Sequence, residues 1–176
     1  MRWGDEEVPV ECRSWRAATG VVGYRKTYRL QPGEHWSDTP LTENQYEHLV
    51  NAGDGPLPIG VMIARDLIGS GADWAVMIEL WGRTVLVDHS GVCVPIDGPT
   101  GELLTVMREA NGGRWGGFAD VVGARGDTIL LREAKVAGKR DRLRVNQHAF
   151  MRAMRLRFGE RVDAAVVEWD DAPLAQ

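Results

Sequence analysis

The sequence has few of the features that mark secreted, membrane-spanning or fibrous proteins. Its 176 residues include only two cysteines, Cys12 and Cys93, which are too few for a disulfide framework and which we expect to be reduced. No apolar run approaches the roughly 20 residues of a membrane-crossing helix. Residues 1–7 lack the apolar stretch of a secretion signal. We therefore expect a cytoplasmic protein that does not associate with membranes.

Apolar and charged residues are present in ordinary proportions, 44% and 26%. This composition is typical of a folded domain, and 176 residues allow one main hydrophobic core. The net charge of −4 conceals an uneven distribution: residues 108–161 contain 13 Lys and Arg against 6 Asp and Glu, whereas the rest contains 8 against 19. The basic segment favours a polyphosphate partner such as nucleic acid, although a solvated helix face gives the same pattern.

The first hundred residues predict a small α+β unit. Its predicted elements are, in chain order, a strand-rich run over 8–31, helices over 42–50 and 59–68, and strands over 74–80, 83–87 and 91–96. The turn-rich segment 97–101, Asp-Gly-Pro-Thr-Gly, is the best internal boundary. We therefore divide the chain into an accessory region of unknown role, residues 1–97, and a core, residues 98–176.

The core has a regular alternation of helices and strands. Its predicted elements are a helix over 103–110, strands over 118–123 and 128–135, a helix over 145–158 and a strand over 162–169. Gly159 is expected to end the second of these helices. This order predicts an α/β (α+β) fold in which helices flank a mixed sheet.

Two carboxylates and an ammonium are spaced for metal-assisted chemistry within this core. Side chains two residues apart on a strand share a face, so Glu133 and Lys135 point together. Asp120 on the neighbouring strand can approach Glu133, and two adjacent carboxylates form a hard-oxygen site suited to Mg²⁺ or Mn²⁺. Lys135 can position an attacking water or offset negative charge in a transition state, and the sequence leaves both roles open.

Other polar residues near this motif allow two interpretations each. Gln147 falls on the apolar face of its helix, where it either orients a metal-bound water or phosphate or merely caps a strand end by a backbone hydrogen bond. The segment 141–143, Asp-Arg-Leu, is either a helix N-terminal signal or a substrate-contacting loop. Arg114 and Trp115 can clamp or stack on DNA, or Trp115 can pack on the sheet edge.

The motifs together resemble a known nuclease family. Gly-Phe-Ala-Asp at 117–120, Glu-Ala-Lys at 133–135, Asp-Arg-Leu at 141–143 and Asn-Gln at 146–147 are similar to the pattern of the VRR-NUC branch of the PD-(D/E)xK superfamily. Ala119 stands where the family usually has proline. The resemblance implies a restriction-endonuclease-like core with a small N-terminal α+β extension. It also implies divalent-metal-dependent endonuclease hydrolysis of DNA phosphodiesters, with branched, flap or junction substrates in replication, repair or phage DNA processing.

The resemblance also implies roles for individual residues. Asp120 and Glu133 would bind Mg²⁺ or Mn²⁺, with Glu102, or alternatively Glu109, as a third acidic ligand from the preceding helix. Lys135 would be catalytic and Gln147 would support it. The predicted nucleic-acid-binding residues are Arg114, Lys139, Arg140, Arg142 and Arg144.

A second hypothesis is that the chain has the nuclease fold but does not hydrolyse DNA. The chain would then be a catalytically silent nuclease-fold module that binds nucleic acid through its basic helix or a protein through its N-terminal region. The acid, acid, lysine set favours the enzyme, because a binding role does not require two neighbouring carboxylates. A nuclease that cuts both strands of DNA symmetrically is also expected to be a homodimer.

Overall fold

A mixed sheet with helices on both faces forms the body of the protein. The computed structural model describes residues 1–15, 30–38, 49–52, 55–80, 84–137 and 142–171. The strands are β1 (Arg2–Trp3), β2 (Glu6–Glu7), β3 (Val10–Trp15), β4 (Leu49–Asn51), β5 (Pro56–Pro58), β6 (Trp74–Leu80), β7 (Thr84–Asp88), β8 (Cys93–Val94), β9 (Val121–Arg125), β10 (Thr128–Val136) and β11 (Val162–Asp171). The α-helices are α1 (Ile59–Gly69), α2 (Gly98–Ala110) and α3 (Val145–Phe158), with 3₁₀ turns at Trp36–Asp38 and Gly159–Arg161.

The described strands form one seven-stranded sheet and two short hairpins. The order in the large sheet is β3-β11-β10-β9-β6-β7-β8, and β1-β2 and β4-β5 pair separately. β11 runs parallel to both of its neighbours, β10 and β3, whereas the other pairs in this sheet are antiparallel. The order β9, β10, α3, β11 therefore returns the chain to the edge of β10 through a helix, as a parallel connection requires.

The two faces of the sheet bury different helices. α2 and α3 pack on one face through Leu104, Met107, Phe150, Met151 and Met154. α1 packs on the other face through Ile59, Ile63, Ala64 and Leu67. Because side chains alternate along a strand, the residues of β10 that follow Ile129 and Leu131 in steps of two point toward α3. Glu133 and Lys135 belong to that set.

Most predicted elements are confirmed, with shifts at their ends. The predictions for β6 and α3 match to the residue, and Gly159, with φ 59°, is the C-cap of α3. β9 begins three residues later than predicted and α2 begins earlier, at Gly98, because a proline in its first turn favours helix initiation. Of the predicted helix over 42–50, residues 42–48 lie outside the described residues, and the end forms strand β4 instead.

The large sheet crosses the predicted boundary between residues 97 and 98. β3, β6, β7 and β8 come from the first region, and β9, β10 and β11 come from the second. β6 pairs directly with β9, and β3 pairs with β11. The described parts of the two predicted regions therefore share one sheet. None of the helices in these parts is long and apolar enough to cross a membrane.

Candidate active site

Asp120, Glu133 and Lys135 come together where β9 begins and β10 ends. In the β9–β10 ladder, Val121 lies opposite Arg132, so the next positions outward are Asp120 and Glu133. The backbone N–H of Ala134 donates to Asp120 Oδ2 over 2.8 Å. The backbone carbonyl of Asp120 also accepts from Ile78 N–H on β6 over 2.9 Å. The Asp120 backbone and carboxylate are therefore fixed by both neighbouring strands.

Glu133 is the most deeply buried charged residue of this group, with 1% of its surface exposed. Its Oε1 accepts from Lys135 Nζ over 2.9 Å and from Gln147 Nε2. Its Oε2 is also buried, but it has no hydrogen-bond partner among the described residues. Buried polar atoms are nearly always satisfied in folded proteins, and this oxygen still has the capacity to accept a donor or to coordinate a cation.

The surroundings of Glu133 favour its protonated form. Burial raises the pKa of Glu133, the nearby Asp120 carboxylate raises it further, and the Lys135 ammonium and the Gln147 amide lower it; the result is a pKa of about 8. Lys135 itself is buried, with 6% exposed. A buried carboxylate whose pKa is raised in this way is typical of functional sites, and a nearby cation lowers such a pKa.

Gln147 lies in the first turn of α3 and connects two parts of the site. Its Oε1 accepts from Arg144 N–H over 2.8 Å, and its Nε2 donates to Glu133 Oε1. The two bonds fix the orientation of the amide, because a flipped side chain would place an NH₂ group against the Arg144 N–H. Gln147 therefore bonds to a backbone group and also reaches the buried carboxylate, so a backbone bond alone does not describe it. That it orients a metal-bound water or a phosphate stays a prediction.

Gly117 allows the loop before β9 to approach the start of α3. Its φ is +90°, and a Cβ at this position would lie 2.6 Å from the carbonyl carbon of Asn146. The same loop continues through Phe118, whose ring packs 4.5 Å from that of Phe150, centroid to centroid. The glycine of the Gly-Phe-Ala-Asp motif therefore brings the loop that carries Asp120 close to the helix that carries Gln147.

Replacing Gly117 by alanine is expected to destabilise the protein by about 2–4 kcal/mol, because the Cβ meets backbone atoms as well as an unfavourable φ. Gly113 is the matched control: its φ is +76°, but a Cβ added there would have no neighbouring atom within 4 Å. Gly113→Ala should therefore cost only about 1–2 kcal/mol. Thermal denaturation of the two variants measures the difference, and equal losses would contradict the close contact at Gly117.

A groove runs between the loop after α2 and the start of α3, where the residues next to Gln147 in sequence line it. It encloses about 650 Å³ and is lined by Asn111, Arg114, Gly116, Arg144, Val145, Asn146 and Ala149. Two of the predicted nucleic-acid-binding residues, Arg114 and Arg144, are thus placed together. Arg142 is exposed nearby in sequence, whereas Lys139, Arg140 and the aspartate of the Asp-Arg-Leu segment lie outside the described residues.

Trp115 packs against protein side chains. Its ring centroid lies 4.9 Å from that of Phe118, and the Arg108 guanidinium lies 5.8 Å from the Trp115 ring. Trp115 therefore packs against the loop before β9 and against α2, and its contact with DNA stays a prediction. Cys93, which is buried, and Cys12, which is exposed, are not joined by a disulfide.

The predicted third acidic ligand does not complete a cluster. Glu102 and Glu109 are both exposed on α2. Among the residues that the structure describes, no three His, Cys, Asp or Glu side chains are grouped as a metal site. Asp120 and Glu133 are therefore the two predicted acidic ligands that the structure brings together.

Comparison with known proteins found no similar protein. No protein-family model, no curated protein and no solved structure matches the chain.

Proposed function

We propose that the protein is a divalent-metal-dependent DNA endonuclease with a restriction-endonuclease-like core. The observation that carries the proposal is the Glu133 carboxylate: it is buried, one of its oxygens lacks a partner among the described residues, and Asp120 and Lys135 share its surroundings. A structural role would not require a second carboxylate close enough to raise its pKa. The order β9, β10, α3, β11, with these residues on it, supports the proposed core.

The two carboxylates fit Mg²⁺ or Mn²⁺. Mg²⁺ usually takes one or two carboxylates from a protein and completes its octahedron with waters and substrate phosphate oxygens, so a site without a third acidic side chain is adequate. Asp120 and Glu133 would hold the ion. When bound, such an ion lowers the pKa of water and polarises a phosphoryl oxygen. Its charge also offsets the repulsion between the two carboxylates.

Side chains of the protein would serve the other needs of phosphodiester hydrolysis. The oxygen of water forms a bond to phosphorus while the bond from phosphorus to one ester oxygen breaks, and the departing oxygen takes up a proton. Lys135 brings a buried positive charge to the place where negative charge increases on the phosphoryl group. Gln147 donates to the same Glu133 oxygen that accepts from Lys135. It would thereby keep the carboxylate oriented toward the ammonium.

The groove beside the site would bind the DNA backbone. Arg114 and Arg144 line it, and no acidic side chain is among its lining residues. Phosphate neutralisation by basic residues supplies much of the affinity for nucleic acid and positions the strand. A strand that follows this groove would pass the first turn of α3 and place its next phosphate near the carboxylates. Branched, flap or junction DNA and a homodimer belong to the same proposal.

Cleavage assays test the proposal. Purified protein should cut at least one of four DNA substrates, namely duplex, flap, four-way junction or single strand, in Mn²⁺ or Mg²⁺ and not in EDTA. Asp120→Asn should reduce the rate about 1000-fold, because several kcal/mol of charge stabilisation is lost with one ligand. Asp127→Asn is the matched control, since Asp127 lies in the turn at the other end of the same hairpin.

Two outcomes would contradict the enzyme. If Asp120→Asn and Asp127→Asn retain equal rates, the carboxylates are not catalytic. If the wild type binds DNA with a salt-dependent affinity but cuts none of the substrates in either metal, the basic groove belongs to the alternative, a nuclease-fold binding module.

A further inference from the structure

We propose that the N-terminal hairpin positions the active site, and that Trp3 is the residue through which it acts. The inference rests on the proposed function, because it concerns how Gln147 is held against Glu133. The hairpin comprises β1 and β2, which pair Arg2 with Glu7 and Trp3 with Glu6. The sequence alone places this segment in an accessory region, since nothing local in it indicates contact with a helix more than 140 residues later.

Trp3 makes the central contact. Its side chain is fully buried in the cluster that also contains Phe150 and Met151 of α3. Its indole Nε1–H donates to the backbone carbonyl of Gln147 over 2.9 Å. One residue, Gln147, is therefore held at its carbonyl by Trp3 and at its side chain by Glu133.

A second anchor lies one residue further along the hairpin. The Gly4 N–H donates to His148 Nδ1 over 3.0 Å. Gly4 has φ +69°, and a Cβ there would lie 3.2 Å from Met151 Cγ, so the turn of the hairpin fits closely onto α3. The N-terminal ammonium donates to Val8 O over 3.0 Å and closes the base of the hairpin. The contacts of Trp3 and Gly4 thus hold the turn at Gln147 and His148.

Ion pairs extend the contact along the helix. Asp5 accepts from Arg152 Nε over 2.9 Å, and Glu6 accepts from Arg155 Nε over 2.6 Å. The first pair is largely exposed and contributes little to stability, but both pairs fix the hairpin in register with α3. The hairpin therefore lies along α3 from its first turn to its last.

This arrangement matters because the first turn of a helix is its weakest part. The first N–H groups of a helix have no partners within it, and helix ends open more easily than helix centres. Gln147 lies in that turn, so opening of the turn would move its Nε2 away from Glu133. The hydrogen bond from Trp3 opposes this motion, and it thereby keeps Glu133 oriented for the metal and for Lys135.

Trp3→Phe tests the inference, because it removes the indole N–H and keeps a buried aromatic ring. Trp36→Phe is the matched control: Trp36 is equally buried but belongs to a different core cluster. NMR of the full-length protein follows the Gln147 side-chain amide and the hydrogen exchange of residues 145–148. Calorimetry measures the Kd for Mn²⁺, and cleavage assays separate kcat from KM.

For Trp3→Phe we expect a shifted Gln147 amide signal, exchange in the first turn of α3 faster by about threefold to tenfold, and a similar weakening of Mn²⁺ binding and of kcat with little change in KM. Trp36→Phe should change none of these at temperatures where it is folded. His148→Leu removes the acceptor for the Gly4 N–H and should accelerate the same hydrogen exchange. It replaces Trp3→Phe as the test variant if Trp3→Phe does not fold.

Failure of this inference is distinguishable from failure of the proposed function. If Trp3→Phe leaves the Gln147 signal and the exchange unchanged, or if Trp36→Phe alters them equally, the hairpin does not position Gln147. If the wild type cuts no DNA but the NMR differences between the variants appear, the hairpin does position Gln147 and the protein is not an endonuclease.

Discussion

Glu133→Gln is expected to make the metal-free protein more stable than the wild type in alkaline solution while it abolishes cleavage. Burial, followed by the neighbouring Asp120, raises the pKa of Glu133 from its ordinary value of 4.5 to about 8. An ionised Glu133 is therefore costly in the folded protein. Glutamine has no charge and retains an acceptor for Lys135 and Gln147.

The pH dependence follows from the direction of this shift. Between the unfolded pKa of 4.5 and the folded pKa of about 8, the folded protein keeps the proton on Glu133 and the unfolded chain has lost it. Unfolding then releases a proton, so the free energy of unfolding decreases as the pH rises through this interval, by at most about 1.4 kcal/mol per pH unit. Above the folded pKa, both states have lost the proton, and the stability that the protonated Glu133 gave to the folded protein is fully lost.

Thermal denaturation in EDTA measures the effect. The Tm of Glu133→Gln should exceed that of the wild type by at least about 5 °C near pH 8.5, and the difference should become smaller near pH 5.5. Mn²⁺ should raise the Tm of the wild type at the higher pH much more than that of the variant, because the variant keeps only the Asp120 carboxylate for the ion. A Tm difference independent of pH would show that Glu133 does not titrate in this interval.

Local features of the fold were predictable, and pairings between distant segments were not. β6 is a short apolar run with glycines in the flanking turns, α3 has apolar residues at helical spacing and a glycine at its end, and the predicted limits of both match those of the structure. The parallel pairing of β3 with β11 joins residues more than 150 positions apart and leaves no mark in either segment. A boundary at residue 97 was consistent with the local turn chemistry, yet β6 and β9 pair across it.

The same distinction holds for the site. The spacing of Glu133 and Lys135 on one strand predicted their shared face, and their Nζ–Oε1 distance of 2.9 Å agrees with it. Glu102 was placed by its position in a helix alone, and its exposure shows how little such a position specifies. Trp3 was missed because its role depends on a contact 144 residues away in sequence. Its full burial beside a functional helix becomes visible only in three dimensions.

Lys135→Met is expected to reduce kcat by about 100- to 1000-fold while the protein still binds Mn²⁺. Methionine fills a similar volume but carries no charge, and the ligands Asp120 and Glu133 remain. The Lys135 ammonium lowers the pKa of Glu133, so its loss favours the protonated carboxylate in the metal-free protein. The folded variant therefore avoids an unpaired buried charge, and a large loss of stability is not expected.

Arg132→Met separates chemistry from folding in this experiment. Arg132 precedes Glu133 on β10 but points to the opposite face, where its guanidinium contacts Glu11 and Asp163. Its side chain is 8% exposed, so the variant should lose stability, since Asp163 loses this ion pair and Glu11 keeps only Arg13 among the described residues. Its kcat should stay within about threefold of the wild type at a temperature where it is folded. If Lys135→Met keeps a comparable kcat, the ammonium has no part in the reaction, and Lys135 serves only to neutralise Glu133.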